Sequence, residues 1–197
     1  MKSSFGKVLL RIARNAIEES LDKHKISDIN KSELLLTYPE LREMKATFVT
    51  LNTKSDKTIK DLRGCIGTLS PVRTLFDDIE HNAKASAFRD PRFTPIQKKE
   101  LKEIFIEVSL LTVPEKLTFA SVDELRTMLI PGKHGVIIKK GFNRAVFLPD
   151  VWLKLPDFEQ FFSHLCKKAG LSSGCLDSID DLYIFYVEKY TEDGDKS

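Results

Sequence analysis

The stretch KATFVTLNTKSDKTIKDLRGCIGTL (Lys45–Leu69) holds two β-prone runs, Lys45–Thr53 and Lys60–Leu69, separated by the turn-like SDKT (Ser55–Thr58). Runs this close together read as a hairpin, and a hairpin commits its sheet to antiparallel pairing. GVIIKKG and NRAVFLP form a second such pair around Gly141–Asn143. EIFIEVSLLTVPE (Glu103–Glu115) reads as one strand, with Ile104, Ile106, Val108 and Leu110 on one face and Phe105, Glu107, Ser109 and Leu111 on the other. A last strand is expected over Asp181–Tyr190, followed by a frayed tail, TEDGDKS.

Helical signals lie between these strands. The first helix, about Ser4–Lys23, carries Val8, Leu9, Ile12, Ala16, Ile17 and Leu21 as one apolar stripe. Ser70 and Pro71 suit the cap and first position of a helix reaching about Phe88. Thr94 and Pro95 repeat that pattern for a short helix through Lys102, and Ser121 with Glu124 fits a capping box for one reaching about Leu129. Asp157–Ala169 places Phe158, Phe161, Phe162 and Leu165 on one face, with Gly170 just past its end. Strands and helices do not alternate strictly, so the expected class is α+β, an antiparallel sheet flanked by helices.

Composition narrows the function. A chain of 197 residues, 42% hydrophobic and 30% charged, suits one soluble globular domain, with room for a modest subdomain. The net charge of +2 supplies no bulk field toward nucleic acid or membranes, and no apolar run is long enough to span a bilayer. The amphipathic start reads as a helix of the domain and not as a targeting peptide. Cys65, Cys166 and Cys175 are an odd, widely spaced set without a CxxC pair, which reads as free thiols in the cytoplasm. His24, His81, His134 and His164 are scattered, and His164-x-Cys166 would face apart on a helix, so no metal and no cofactor is expected. Lys139–Lys140 and Lys167–Lys168 read as solvated charges, because the phenylalanines fall at core positions and a nucleic-acid patch needs exposed ones.

The chemistry-bearing candidates gather around LRGCIG (Leu62–Gly67). On a strand, Arg63, Cys65 and Gly67 share one face, while Leu62, Gly64 and Ile66 turn toward a core. Glycines inside a strand mark a bulge or a close approach by a ligand or another backbone. A helix starting near Pro71 would add its positive end, so Arg63, Gly64 and Gly67 are candidate anion binders and Cys65 a candidate nucleophile. A thiol packed as a small hydrophobe beside structural glycines is the alternative. In RDPRF (Arg89–Phe93), Arg92 could grip a carboxylate or phosphate, with Asp90 as orienter or acid–base. A salt-bridged loop brace anchored by Phe93 is the equally available reading. Glu107 and Ser109 need a partner or solvent, for which Arg63 or Arg92 would serve. His81 is the histidine nearest these motifs.

LRGCIG, AFRDPRFTP (Ala87–Pro95), EVSLLTVPE (Glu107–Glu115), HGVIIKKG (His134–Gly141), FLPDVW (Phe147–Trp152) and CKKAGL (Cys166–Leu171) together resemble the AMMECR family, named for the Alport syndrome critical region, from about Lys45 to Tyr190. The resemblance implies one α+β domain over 1–197, its two ends forming a larger lobe, a central segment a smaller subdomain, and LRGCIG near the cleft between them. It implies no particular reaction. Microbial members are associated with a Memo-like protein and a radical S-adenosylmethionine enzyme, which suggests a metabolic or modification pathway with those partners. Family residues match at Arg63, Gly64, Cys65, Gly67, Asp90, Arg92, Phe93, Ser109, Pro114, Gly135, Lys168 and Gly170, while Asp150 stands where the family usually has glutamine.

Two functions follow as expectations. One is an enzyme, or part of one, handling a small anionic or nucleotide-like substrate, with Cys65, Asp90 and Glu107 as catalytic candidates and Arg63, Gly64, Gly67, Arg92, Ser109 and Lys168 as binding candidates. The other is a non-catalytic adaptor using the same cleft. The oligomeric state is not legible.

Overall fold

The computed structural model describes residues 2–22, 27–56 and 59–192. Helix α1 (Lys2–Leu21) and a short α2 (Lys31–Thr37) precede the hairpin of β1 (Thr47–Asp56) and β2 (Ile59–Gly67). Then come α3 (Leu75–Phe88), β3 (Ile104–Leu111), β4 (Glu115–Leu117), α4 (Val122–Met128), β5 (Gly135–Lys140), β6 (Asn143–Phe147), α5 (Val151–Lys154), α6 (Phe158–Lys168), β7 (Asp181–Phe185) and β8 (Val187–Thr191). The strands form two four-stranded sheets, ordered β2-β1-β3-β8 and β4-β7-β5-β6. This is the α+β architecture expected from the hairpins.

The chain divides into two compact units: residues up to Leu111 with those from Glu188 onward, and Thr112–Val187. In the first, Val49, Leu51, Ile106 and Val108 lie on one sheet face and share a core with Leu9, Ile12, Ile17 of α1 and Phe76, Ile79 of α3. In the second, Val136, Ile138 and Leu182 pack with Phe161, Phe162 and Leu165 of α6, and Trp152 stacks on Phe161 at 3.6 Å.

Two expected single strands are each divided between the sheets. Glu103–Glu115 ends in the first sheet at Leu111 and resumes in the second at Glu115, past Pro114. Asp181–Tyr190 changes sheet at Tyr186, whose N–H and carbonyl bond Thr112 Oγ1 (2.9 Å) and N–H (3.0 Å). The tail is better held than expected, since Thr191 belongs to β8 and the Glu192 carboxylate accepts from Arg14 Nε (2.9 Å) and Ile106 N–H (2.9 Å). Residues 193–197 of that tail, residues 57–58 of the expected SDKT turn and Lys23 of the expected first helix lie outside the described residues.

Helix α3 begins at Leu75, not at Pro71. Residues 73–75 run extended beside 43–45, with Lys45 N–H on Arg73 O (3.4 Å) and Leu75 N–H on Glu43 O (2.8 Å). Thr74 therefore caps the helix, its Oγ1 accepting from the Asp77 N–H at 3.3 Å. The expected short helix near Thr94 is a single 3-10 turn, Lys98–Glu100. Helix α2 is an addition, capped by Asn30 Oδ1 on the Glu33 N–H at 3.3 Å.

The expectation of three free thiols is corrected. After α6 the chain reverses at Gly170, with the Leu171 N–H bonded to Cys166 O (2.9 Å). That reversal returns Cys175 to Cys166, and the two buried sulfurs form a disulfide, leaving Cys65 free.

A buried carboxylate fastens α3 to the hairpin. Asp78 accepts from Thr47 N–H (2.9 Å) and Oγ1 (2.8 Å), Thr68 Oγ1 (2.5 Å) and Asn82 Nδ2 (2.9 Å). Both open ends of β1 and β2 are thus tied to one helix, which fixes where LRGCIG lies.

Candidate functional site

Cys65 sits on β2, the edge strand of the first sheet. Its neighbour on β1 is Thr50, whose partner on β3 is Glu107. Thr50 Oγ1 donates to Cys65 Sγ at 3.3 Å. Glu107 Oε1 accepts from Ser109 Oγ at 3.5 Å and lies 3.7 Å from Lys189 Nζ on β8. A row of thiol, hydroxyl, carboxylate and ammonium therefore crosses all four strands, because pairing puts same-face side chains abreast. The partner expected for Glu107 was Arg63 or Arg92; it is Lys189, 82 positions along the chain, and no local pattern announces it.

An edge strand leaves every second N–H and C=O without a ladder partner. At Cys65 both are taken by the RDPRF loop. Asp90 Oδ2 accepts from the Cys65 N–H at 2.8 Å, and Arg92 Nη2 donates to the Cys65 carbonyl at 3.1 Å. Arg92 Nε and Nη2 meanwhile hold Asp90 at 2.9 and 2.7 Å in a fork. Two side chains replace a neighbouring strand. The Arg92 bonds hold the buried Asp90 carboxyl well below the usual carboxylate range against the opposing effect of burial, with the Cys65 N–H assisting. A group so firmly ionised has no proton to give near neutrality. Of the orienter and acid–base readings, the observed contacts, to Arg92 and the Cys65 N–H, are those of an orienter. Arg92 is correspondingly a brace, with its side chain 53% exposed.

Arg63 is the extra residue of a β-bulge: the register steps from Leu51↔Gly64 to Asn52↔Leu62 and passes over it. The bulge resets the alternation, and Leu62, expected in the core, is 42% exposed. Arg63 Nε donates to Glu100 Oε1 at 3.0 Å, and the Arg63 and Arg92 guanidinium groups lie 5.9 and 5.4 Å from the Phe93 ring centroid. Arg63 Nη1 is buried and has no acceptor among the described residues.

The two glycines serve packing. A Cβ on Gly64 would stand 2.3 Å from the Ser86 carbonyl oxygen of α3, and one on Gly67 2.2 Å from the Phe48 ring. Of the readings open for them, approach by protein atoms is realised at both, and Gly64 also flanks the Arg63 bulge. Ser86 Oγ enters the ladder itself, donating to Val49 O (2.7 Å) and accepting from the Ile66 N–H (2.8 Å). The anticipated helix end beside Gly67 is also occupied, since the first turn of α3 carries Asp77 and Asp78.

Other candidates are engaged elsewhere. Lys168 belongs to the second unit, where Nζ donates to Val146 O at 2.9 Å above the Phe147 ring. Asp150 starts α5 in that unit. Burial, with the Arg73 and Arg89 charges, pushes the His81 imidazole below its ordinary pKa, and it shares no hydrogen bond with Cys65. Among the described residues no group of three His, Cys, Asp or Glu could hold a metal ion. Thr50, Ser86, Glu100 and Lys189 are the site residues that sequence reasoning did not single out.

Fold and site define a two-sheet α+β protein built around a clamped thiol strand. A profile of the AMMECR1 family matches residues 10–190, and the chain belongs to that family. A protein of Methanothermobacter thermautotrophicus is 37% identical over 192 residues, covering 96% of this chain and 95% of that one. Protein PH0010 of Pyrococcus horikoshii is 36% identical, covering 98% and 92%. The crystal structure of PH0010, titled as an uncharacterized protein, superposes with a TM-score of 0.77 over 94% of this chain and 90% of that chain.

Proposed function

We propose that the chain binds a small carboxylate- or phosphate-bearing molecule, nucleotide-like ones included, beside the β2 edge and presents Cys65 Sγ to it. The observation that carries this reading is Arg63 Nη1, a buried guanidinium nitrogen without an acceptor two positions from a thiol whose peptide is clamped on both sides. An unpaired buried donor costs on the order of 1–3 kcal/mol, more when charged, and a ligand oxygen that the Arg63 guanidinium turns outward to meet removes that cost. Arg63 is then the anion donor and Cys65 the contacting nucleophile. Glu107, tied to Ser109 and Lys189, handles protons on the same face. Asp90, Arg92, Gly64 and Gly67 hold the strand in place.

The test uses inorganic phosphate, succinate and AMP as probes. Saturating probe is expected to raise the thermal midpoint and slow alkylation of Cys65 by iodoacetamide, the only free thiol. Arg63→Gln is expected to abolish both effects. If none of the three probes alters either readout, the reading fails.

A second reading is a non-catalytic adaptor. It draws on the near-neutrality of the site, where Arg63, Arg92 and Lys189 each face a carboxylate. The partners would be a Memo-like protein and a radical S-adenosylmethionine enzyme in one cytoplasmic pathway. Co-purification lost with Arg63→Ala and kept with Cys65→Ser supports it. A disulfide is unusual in that compartment, so labelling of Cys166 by a thiol reagent in rapidly quenched cells tests the location.

A further inference from the structure

We infer that the tip of the β5–β6 hairpin is a docking point for an anionic membrane surface. Phe142, at the two-residue turn between Lys140 and Asn143, is 108% exposed, so its whole ring stands in water. The turn is held rather than loose. The Gly141 N–H donates to Asp180 Oδ2 at 2.6 Å, and Lys140 Nζ donates to Ser178 Oγ at 2.7 Å. The fold thus holds an aromatic ring on a tethered turn, fully outside the core of its own unit.

Cations outnumber acids behind the ring, with Lys116, Lys139, Lys140 and Arg144 set against Asp180 and Asp181. Lys140 lies one residue back, and the Lys139↔Arg144 pair two residues back, roughly 3–7 Å behind the tip at the ordinary strand rise. Lys140 is ordered by the Ser178 hydroxyl, and Lys139 lies 4.6 Å over the Tyr183 ring with Asp181 opposite it on β7. Asp180 and Asp181 are the nearby acids, and they are engaged with the Gly141 N–H and with Lys116. The chain's net charge of +2 conceals this local arrangement.

The layering selects the partner. Single-stranded nucleic acid is held by a groove with successive stacking platforms. Here one ring caps a convex tip, with cations set behind it. A bilayer interface has the matching order, with apolar acyl boundary deepest and anionic phosphates above it. The ring enters the boundary while the cations stay at headgroup level.

The reporter is Phe142→Trp in the full chain. The native sequence has one tryptophan, Trp152, which is 3% exposed and stacked on Phe161, so a change in emission on adding vesicles reports the tip. Phosphatidylserine-containing vesicles are expected to shift the emission to the blue, and phosphatidylcholine vesicles to leave it unchanged. In co-sedimentation of the otherwise native chain, Phe142→Ser and the pair Lys139→Glu with Lys140→Glu are each expected to lower vesicle affinity about tenfold or more, with unchanged thermal midpoints. No shift, an equal shift with phosphatidylcholine alone, or full vesicle binding by Phe142→Ser overturns the proposal. Quenching by oligothymidylate with no response to vesicles overturns it in favour of nucleic acid.

Discussion

The molecule contains two β-hairpins, of 10- and 9-residue strands and of 6- and 5-residue strands, built to different standards. β5 and β6 pair without interruption from Lys140↔Asn143 to Val136↔Phe147, around a turn with Gly141 at φ +55°. β1 and β2 slip register twice, carry Arg63 as a bulge, and admit the Ser86 hydroxyl between them at Val49 and Ile66. The regular hairpin is specified by its turn and its alternation. The irregular one is specified by what crowds it from outside: α3 behind Gly64, Phe48 over Gly67, and Asp90 with Arg92 at its edge. Bulges and inserted polar groups concentrate where a side chain must be re-aimed, and the Arg63 bulge, the Ser86 insertion at Ile66 and the Asp90–Arg92 clamp all lie within two residues of Cys65.

The largest effect should come from the crowded hairpin. Gly64→Val drives its side chain into the Ser86 carbonyl, and we expect a loss of roughly 3 kcal/mol in urea unfolding. Breaking the tether of the other unit should come next. Cys166→Ser with Cys175→Ser opens a loop of sequence separation 9 and should cost about 2.5 kcal/mol, read as a lower unfolding midpoint. Asp90→Asn removes the ionised half of the clamp at a cost of about 2 kcal/mol, and Cys65 alkylation should change with it, which a purely global loss would not produce at low temperature. In the regular hairpin, Gly141→Ala meets open space and only the strain of its positive φ, so about 1 kcal/mol is expected. A loss there as large as that of Gly64→Val would erase the contrast.

The smallest effect near neutrality is a pH response at the regular hairpin. His134, at the foot of β5, accepts the Ile130 N–H on Nδ1 (3.1 Å) and bonds Tyr186 Oη through Nε2 (2.9 Å). Burial, then the Lys133 charge, pushes its pKa below the ordinary 6.5, and a second ring proton would oppose the Ile130 N–H. The unfolded chain therefore binds the proton more readily, so stability is complete above about pH 6.5 and declines as pH falls below it. The Asp90 carboxyl is depressed from 3.8, so its contribution is lost only under stronger acid. Between pH 7 and pH 5, amide protection factors, which allow for the slower intrinsic exchange in acid, are expected to fall in β5–β6. The depressed His81 on α3 gives the first unit a response of the same sign.

Legibility in the sequence tracked locality. The second hairpin, the Ser121 cap, the apolar face of the helix after Asp157 and the faces of β3 were readable because each depends on residues a few positions apart. The Asn30 cap was also readable in principle, since Asn30-x-x-Glu33 before three leucines is a start signal. The sheet changes at Pro114 and Tyr186 were not readable, because strand propensity continues across both and only pairing across distant sequence separates them. The same holds for the site. Arg63, Cys65, Asp90 and Arg92 were legible as motifs, but their mutual arrangement depends on α3 returning the RDPRF loop to the β2 edge. Lys189 and Ser86 reach the site through tertiary pairing alone.

The position of β8 bears on the order in which the chain is made. β8 supplies the last strand of the first sheet, and Glu192 beyond it grips Arg14 and Ile106, yet all of Thr112–Val187 is synthesised in between. At about 5–20 residues per second the ribosome needs several seconds to a quarter of a minute for that interval. Throughout it, the first unit exposes β3 as an open edge, with β1 between it and the thiol strand, so the unit begun first is the one completed last.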